Sequence, residues 1–129
     1  MQNVLIVDDS IYKYNTIRKA VSKSRSCNFF YEKTLGEARE TLEERHDSGN
    51  DFNLIITDTN YPDRGGGELN PEAGFQLIKF IYSLGVRTPI IICSTRKFQK
   101  DDTNNVIGFV RYTENADLDG DFRGLLEKL

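Results

Sequence analysis

Residues 54–63 read Leu-Ile-Ile-Thr-Asp-Thr-Asn-Tyr-Pro-Asp, an aliphatic run that stops at Asp58 with Pro62 four positions later. An apolar run without polar alternation suits a strand buried on both faces. Strands that only fill a core end in turn residues of many kinds. A carboxylate at the tip of a buried strand points to a site, because an isolated charge at the rim of a core is costly.

Reading outward, short apolar runs alternate with helical patterns on both sides of this stretch. Val4 to Val7 is a strand bounded by acids, and Ile11, Tyr14, Ile17 and Val21 then fall at helical spacing. Phe29 to Tyr31 reads as a second strand. Thr34-x-x-Glu37 has the form of a capping box, with Leu35, Ala38 and Leu42 on one face of the helix it opens. Leu54 to Thr57 is the third strand. Asn70-Pro71 suits an N-cap and first-turn proline, ahead of a helix carrying Leu77, Ile78, Ile81 and Leu84 and stopped by Gly85. Pro89 to Cys93 is the fourth strand and Val106 to Tyr112 the fifth. Leu118, Phe122, Leu125, Leu126 and Leu129 predict an amphipathic C-terminal helix. The polar stretch between Ser94 and Asn105 allows at most a short or loosely packed helix.

Five strands alternating with four or five helices predict an α/β fold: a doubly wound parallel sheet with helices on both faces. Sites in such folds lie at the carboxyl ends of the strands, near the switch in strand order. The first strand ends in Asp8-Asp9, the third in Asp58 and the fourth in Ser94-Thr95. If the first and third strands are neighbours, three carboxylates converge, and their repulsion calls for protonation or a cation. Oxygen-only ligands suit Mg²⁺. Asp9 or Ser10 also suits the cap of the first helix.

Composition narrows the classes further. A chain of 129 residues favours a single domain spanning 1–129. No apolar run reaches the ~18 residues of a membrane span, and no signal-peptide pattern opens the chain. A net charge of −3 makes no electrostatic case for nucleic acid. Cys27 and Cys93 read as reduced core thiols, which makes the cytoplasm the expected compartment. His46, among charged residues, reads as a solvated surface histidine rather than a phosphodonor.

The segments VLIVDDS, LIITDTNYP, GFQLIKFI, TPIIICST and GFVRY resemble, in order, the signatures of response-regulator receiver domains of two-component signalling. The resemblance spans essentially the whole chain. It implies a flavodoxin-like sheet with strand order 2-1-3-4-5 and a phosphoryl group accepted on Asp58, which the family places four residues before a proline. It further implies that Asp8, Asp9, Asp58 and the backbone carbonyl of Asn60 hold Mg²⁺. Ser94 matches the hydroxyl that bonds the phosphoryl group, Phe109 the switch aromatic, and Thr95 a position where the family often has a small residue.

Function follows as a set of expectations: a stand-alone receiver, not an enzyme, fed by a histidine kinase or phosphotransfer protein. A downstream protein partner would read the switched surface, and the chain would be a monomer or weak dimer. A degenerate receiver, never phosphorylated and binding constitutively, is the rival. An aspartate-nucleophile phosphatase is disfavoured, because Asn60 stands where that chemistry wants an acid.

Two departures stand out. The lysine that the family carries near the end of its fifth strand falls on Tyr112. Tyr112 in the site, Arg111 after a one-residue shift, or Arg96, Lys97 or Lys100 in the preceding loop are the readings left open. The second departure is an insertion of roughly eight residues within 63–73, containing Gly65, Gly66 and Gly67. It reads as a surface loop, a lid or a partner contact. A phosphate-cradling loop is disfavoured, since the glycines do not link a strand to a helix.

Overall fold

The computed structural model describes residues 1–96 and 105–129. Its elements run β1 (Gln2–Val7), α1 (Ile11–Ser22), β2 (Cys27–Glu32), α2 (Leu35–Asp47) and β3 (Leu54–Thr57). They continue with β4 (Tyr61–Pro62), β5 (Leu69–Asn70), α3 (Ala73–Ser83), β6 (Ile90–Ser94), β7 (Val106–Arg111) and α4 (Leu118–Leu126). Five strands form one parallel sheet in the order β2-β1-β3-β6-β7. With the β4–β5 hairpin set aside, this is the expected 2-1-3-4-5 order.

Strand alternation divides the core into two layers. Leu5, Val7, Ile55, Ile90 and Ile92 pack with α2 and α3 residues such as Leu42, Leu77 and Ile81. Val4, Ile6, Ile56, Ile91 and Cys93 pack with Ile17 and Val21 of α1 and Phe122 and Leu126 of α4. Each fully buried aliphatic side chain stabilises the fold by about 1.5–3 kcal/mol. Burial of all four residues of β3 accounts for its aliphatic run from Leu54 to Ile56, which only Thr57 ends.

Local signals behave largely as the sequence indicates. Ser10 caps α1 by accepting the Lys13 N–H at 3.2 Å. Thr34 Oγ1 accepts the Glu37 N–H at 3.2 Å and donates to Glu37 Oε1 at 3.0 Å. Gly85 follows α3 at φ 76°, a conformation glycine adopts without strain. Both cysteines are free thiols. His46 lies at the surface, 3.1 Å from Asp51 Oδ1.

Some expectations change. The inserted segment forms an antiparallel hairpin, Tyr61 opposite Asn70 and Pro62 opposite Leu69. Asn70 therefore ends a strand, and α3 starts later, at Ala73. Asn70 Oδ1 still accepts a main-chain N–H, that of Glu72, at 2.9 Å. Ile11 is 53% exposed despite its helical phase, and Leu129 lies beyond α4 with 47% exposure.

Candidate functional site

The carboxylate cluster follows from strand register. Val7 of β1 pairs with Thr57 of β3, so the next residues, Asp8 and Asp58, leave the sheet side by side. The Asp58 N–H donates to the Val7 carbonyl at 3.0 Å, which fixes the pair. Each of Asp8, Asp9 and Asp58 contributes a carboxylate oxygen, and these lie within 4.8 Å of one another.

The three acids differ in surroundings. Asp8 is buried; its Oδ1 accepts the Ser10 N–H at 2.9 Å. Asp58 is partly open to solvent, its side chain 17% exposed, and its Oδ1 accepts the Thr59 N–H at 2.7 Å. Asp9 is exposed, with no hydrogen bond or ion pair among the described residues.

The principal surprise is Lys13. From the first turn of α1 its side chain turns into the protein and is 6% exposed. Nζ lies 2.8 Å from Asp8 Oδ2 and 3.2 Å from Asp58 Oδ2. It also donates to the Cys93 carbonyl at 2.8 Å. Burial alone would favour the neutral amine, but Asp8 and Asp58 outweigh it and hold Lys13 above its ordinary value. Burial pushes Asp8 upward, while Lys13 and the Ser10 N–H oppose that rise.

Among the described residues, the cation beside Asp8 and Asp58 is Lys13. Tyr112 stands where the resemblance places a lysine, and its ring centroid lies 5.2 Å from Lys13 Nζ, within cation–π range. The Tyr112 N–H donates to the Ser94 carbonyl at 2.9 Å, which ties the end of β7 to β6. Arg111 points from the other side of β7 and is exposed, with no ion pair to the acids. Arg96 is also exposed, and Lys97 and Lys100 lie outside the described residues. Among the described residues, the positive charge thus reaches the acids from α1, a source the sequence reading missed. One signal was available: Lys13 keeps helical phase with the buried residues Ile17 and Ala20.

Thr59, also missed, joins Asp58 to the hydroxyl on β6. It is buried, and its Oγ1 lies 3.4 Å from Ser94 Oγ. Ser94 is buried and also accepts the Arg96 N–H at 3.2 Å; Thr95 beside it is exposed. The Thr59 carbonyl accepts the Gly74 N–H at 3.0 Å. A Cβ on Gly74 would stand 2.2 Å from the Asp58 carbonyl oxygen, so only glycine lets α3 approach this closely.

Phe109 is half-buried opposite Ile92 and packs in the α2/α3 layer. Tyr112 packs in the α1/α4 layer. Asn60 is half-buried, and its side-chain Oδ1 has no hydrogen-bond partner. Asp8, Asp9, Lys13, Asp58, Thr95 and Tyr112 share the wall of one open cleft of about 660 Å³. An all-oxygen set of three acids at one strand edge suits a hard divalent cation rather than zinc.

Comparison with known proteins bears on the fold. No protein-family model matches the chain, and no curated protein sequence does. Solved structures do match. The phosphorylated cyanobacterial phytochrome response regulator RcpA superposes with a TM-score of 0.72 at 20% identity, over 98% of this chain and 91% of that one. The chain has the fold of response-regulator receiver domains. The Mn²⁺-bound response regulator Rcp1 gives 0.70 at 19% identity, covering 97% of this chain and 91% of its own. The response-regulator domain of Thermotoga maritima CheB gives 0.69 at 20% identity, covering 99% and 92%. Within this receiver fold, the acids stand at the carboxyl edge of β1 and β3, and the ammonium comes from α1.

Proposed function

We propose that the chain is a phosphoryl-accepting receiver that takes a phosphoryl group on Asp58 from a histidine kinase or phosphotransfer protein and thereby alters a protein-binding surface. The observation that carries this reading is the position of Asp58, at a strand tip, open to a cleft, with Asp8, Asp9 and a buried ammonium beside it.

The chemistry requires little of the protein beyond placement and charge. A carboxylate oxygen of Asp58 attacks phosphorus as the bond to the donor nitrogen or oxygen breaks. The donor leaves with the electron pair, and no oxidant is needed. Asp8, Asp9 and Asp58, with the Asn60 carbonyl, would hold Mg²⁺. When bound, the ion neutralises charge on the transferring oxygens. The Thr59 N–H orients Asp58, and Ser94 can donate to the new phosphoryl group. Ser94 and Phe109 lie on the same face of neighbouring strands, so a moving hydroxyl and a repacking ring can be coupled. Thr95, exposed on the cleft wall, restricts water at the product. No described helix is long and apolar enough to cross a membrane, and the cytoplasm is the proposed compartment.

A second reading, a constitutive binding module, draws on one observation: both oxygens of Asp8 and of Asp58 already have partners within the chain. Incubation with acetyl phosphate and Mg²⁺, followed by intact mass measurement, separates the two. Gain of one phosphoryl group by wild type and none by Asp58→Asn is expected. An unmodified wild type supports the binding module instead.

A further inference from the structure

We propose that Lys13 is the phosphoryl-binding cation of this protein, and that it competes with the divalent ion for Asp8 and Asp58 until a phosphoryl group gives it another partner. The inference rests on the reading of Asp58 as acceptor.

Every carboxylate oxygen of Asp8 and Asp58 already has a neighbour in the chain. Asp8 Oδ1 is taken by the Ser10 N–H and Asp58 Oδ1 by the Thr59 N–H. Each Oδ1 keeps a lone pair, while Lys13 Nζ contacts both Oδ2 atoms. A divalent cation held by these acids needs oxygens from the same set. The ammonium and the metal ion therefore draw on the same negative charge, and at such spacing they repel one another.

The surroundings permit Lys13 to change partners without leaving the site. Its Nζ also bonds the Cys93 carbonyl and faces the Tyr112 ring, and neither contact involves a carboxylate. An ammonium on a four-carbon stem can move by a rotamer change while its stem stays packed. Lys13 and Asp58 share one cleft wall, so a phosphoryl group on Asp58 adds anionic oxygens beside the ammonium. Among the described residues, no other lysine or arginine is paired with these acids.

The arrangement also links the site to β6. The Cys93 carbonyl that accepts from Lys13 immediately precedes Ser94, whose own carbonyl accepts the Tyr112 N–H. Movement of Lys13 toward a phosphoryl group would load or release the same strand end that carries the Ser94 hydroxyl.

The test compares wild type, Lys13→Met and the transposed variant Lys13→Met/Tyr112→Lys. Mg²⁺ affinity is measured by calorimetry, and phosphoryl uptake from acetyl phosphate by intact mass. Lys13→Met should bind Mg²⁺ more tightly, on the order of tenfold, yet take up phosphoryl more slowly, by about a hundredfold. The transposed lysine should recover most of that rate. A misfolded variant would lose both properties together, so opposite signs identify the role. In wild type itself, the ammonium resonance of ¹⁵N-labelled Lys13 should shift when Mg²⁺ is added, which requires no variant to fold. Unchanged Mg²⁺ affinity and uptake in Lys13→Met, or an unmoved resonance at saturating Mg²⁺, would overturn the proposal. A wild type that binds Mg²⁺ but takes up no phosphoryl group overturns instead the reading of Asp58 on which it rests.

Discussion

Lys13 Nζ stands 3.2 Å from Asp58 Oδ2, although 45 residues separate the two along the chain and one belongs to a helix, the other to a strand end. The strand carrying Asp58 is all aliphatic up to its last residue, and the helix carrying Lys13 is largely polar on its outer side. Their meeting places a positive charge between the acids that follow β1 and β3.

Removal of that charge should be expensive. Lys13→Met leaves Asp8, 1% exposed, without its ion-pair partner. Truncation of one member of a buried pair costs about 3–5 kcal/mol. Urea unfolding in EDTA should show that loss, and Asp8→Asn on the same background should recover part of it. A loss below about 1 kcal/mol would show that the pair is as weak as an exposed one.

Gly74 should be equally intolerant for a steric reason. The Cβ of Gly74→Ala would meet the main chain at Asp58 O (2.2 Å) and at Thr59 Cα (2.7 Å), neither of which can rotate away. Overpacking of this kind costs roughly 1–3 kcal/mol, and displacement of Asp58 should slow phosphoryl uptake in proportion. Gly65→Ala, where an added Cβ meets nothing within 4 Å, should stay within about 0.5 kcal/mol of wild type. Chemical denaturation of the two variants side by side measures the difference.

The two thiols should behave differently. Burial pushes Cys93 up to about 12, whereas Cys27 is only half-buried and is raised less far. At pH 8 a disulfide reagent should modify one thiol slowly in the native protein and two in denaturant. Rapid modification of Cys93 in the native state would contradict the packing of β6.

Alkaline stability follows from two phenols. Burial, with Asp8 and Asp9 adding, raises Tyr31 to about 12, and burial raises Tyr61 further. The ordinary tyrosine value is near 10. A folded-state value above the unfolded one contributes stability that is complete below pH ~10 and is lost as the pH climbs through the folded value. Two of the six tyrosines should therefore resist ionisation until the chain unfolds, as followed by phenolate absorbance.

The parts legible in the sequence were those with a strong local pattern. The aliphatic runs of β1, β3 and β6 marked the sheet, and the acids after β1 and β3, with the hydroxyls at the end of β6, marked its candidate edge. The Thr34 cap and the Gly85 stop were readable because each involves neighbouring residues. Lys13 was not read, since a lone lysine among polar helix residues looks solvated. Its inward direction depends on where α1 lies over the sheet. Thr59 was missed for a related reason: its role is a hydroxyl contact to Ser94, 35 residues away. The β4–β5 hairpin has only two residues per strand, too few for alternation to show, and Asn70-Pro71 consequently read as a helix start.

A crystal structure with Mg²⁺ and beryllofluoride, a phosphoryl mimic, tests the central claim most directly. Beryllofluoride should be bonded to Asp58, with a divalent ion on oxygens of Asp8, Asp9 and Asp58 and with Lys13 Nζ within hydrogen-bonding distance of a fluoride. An unmodified Asp58 with Lys13 still bridging Asp8 and Asp58 at saturating Mg²⁺ and beryllofluoride would contradict it.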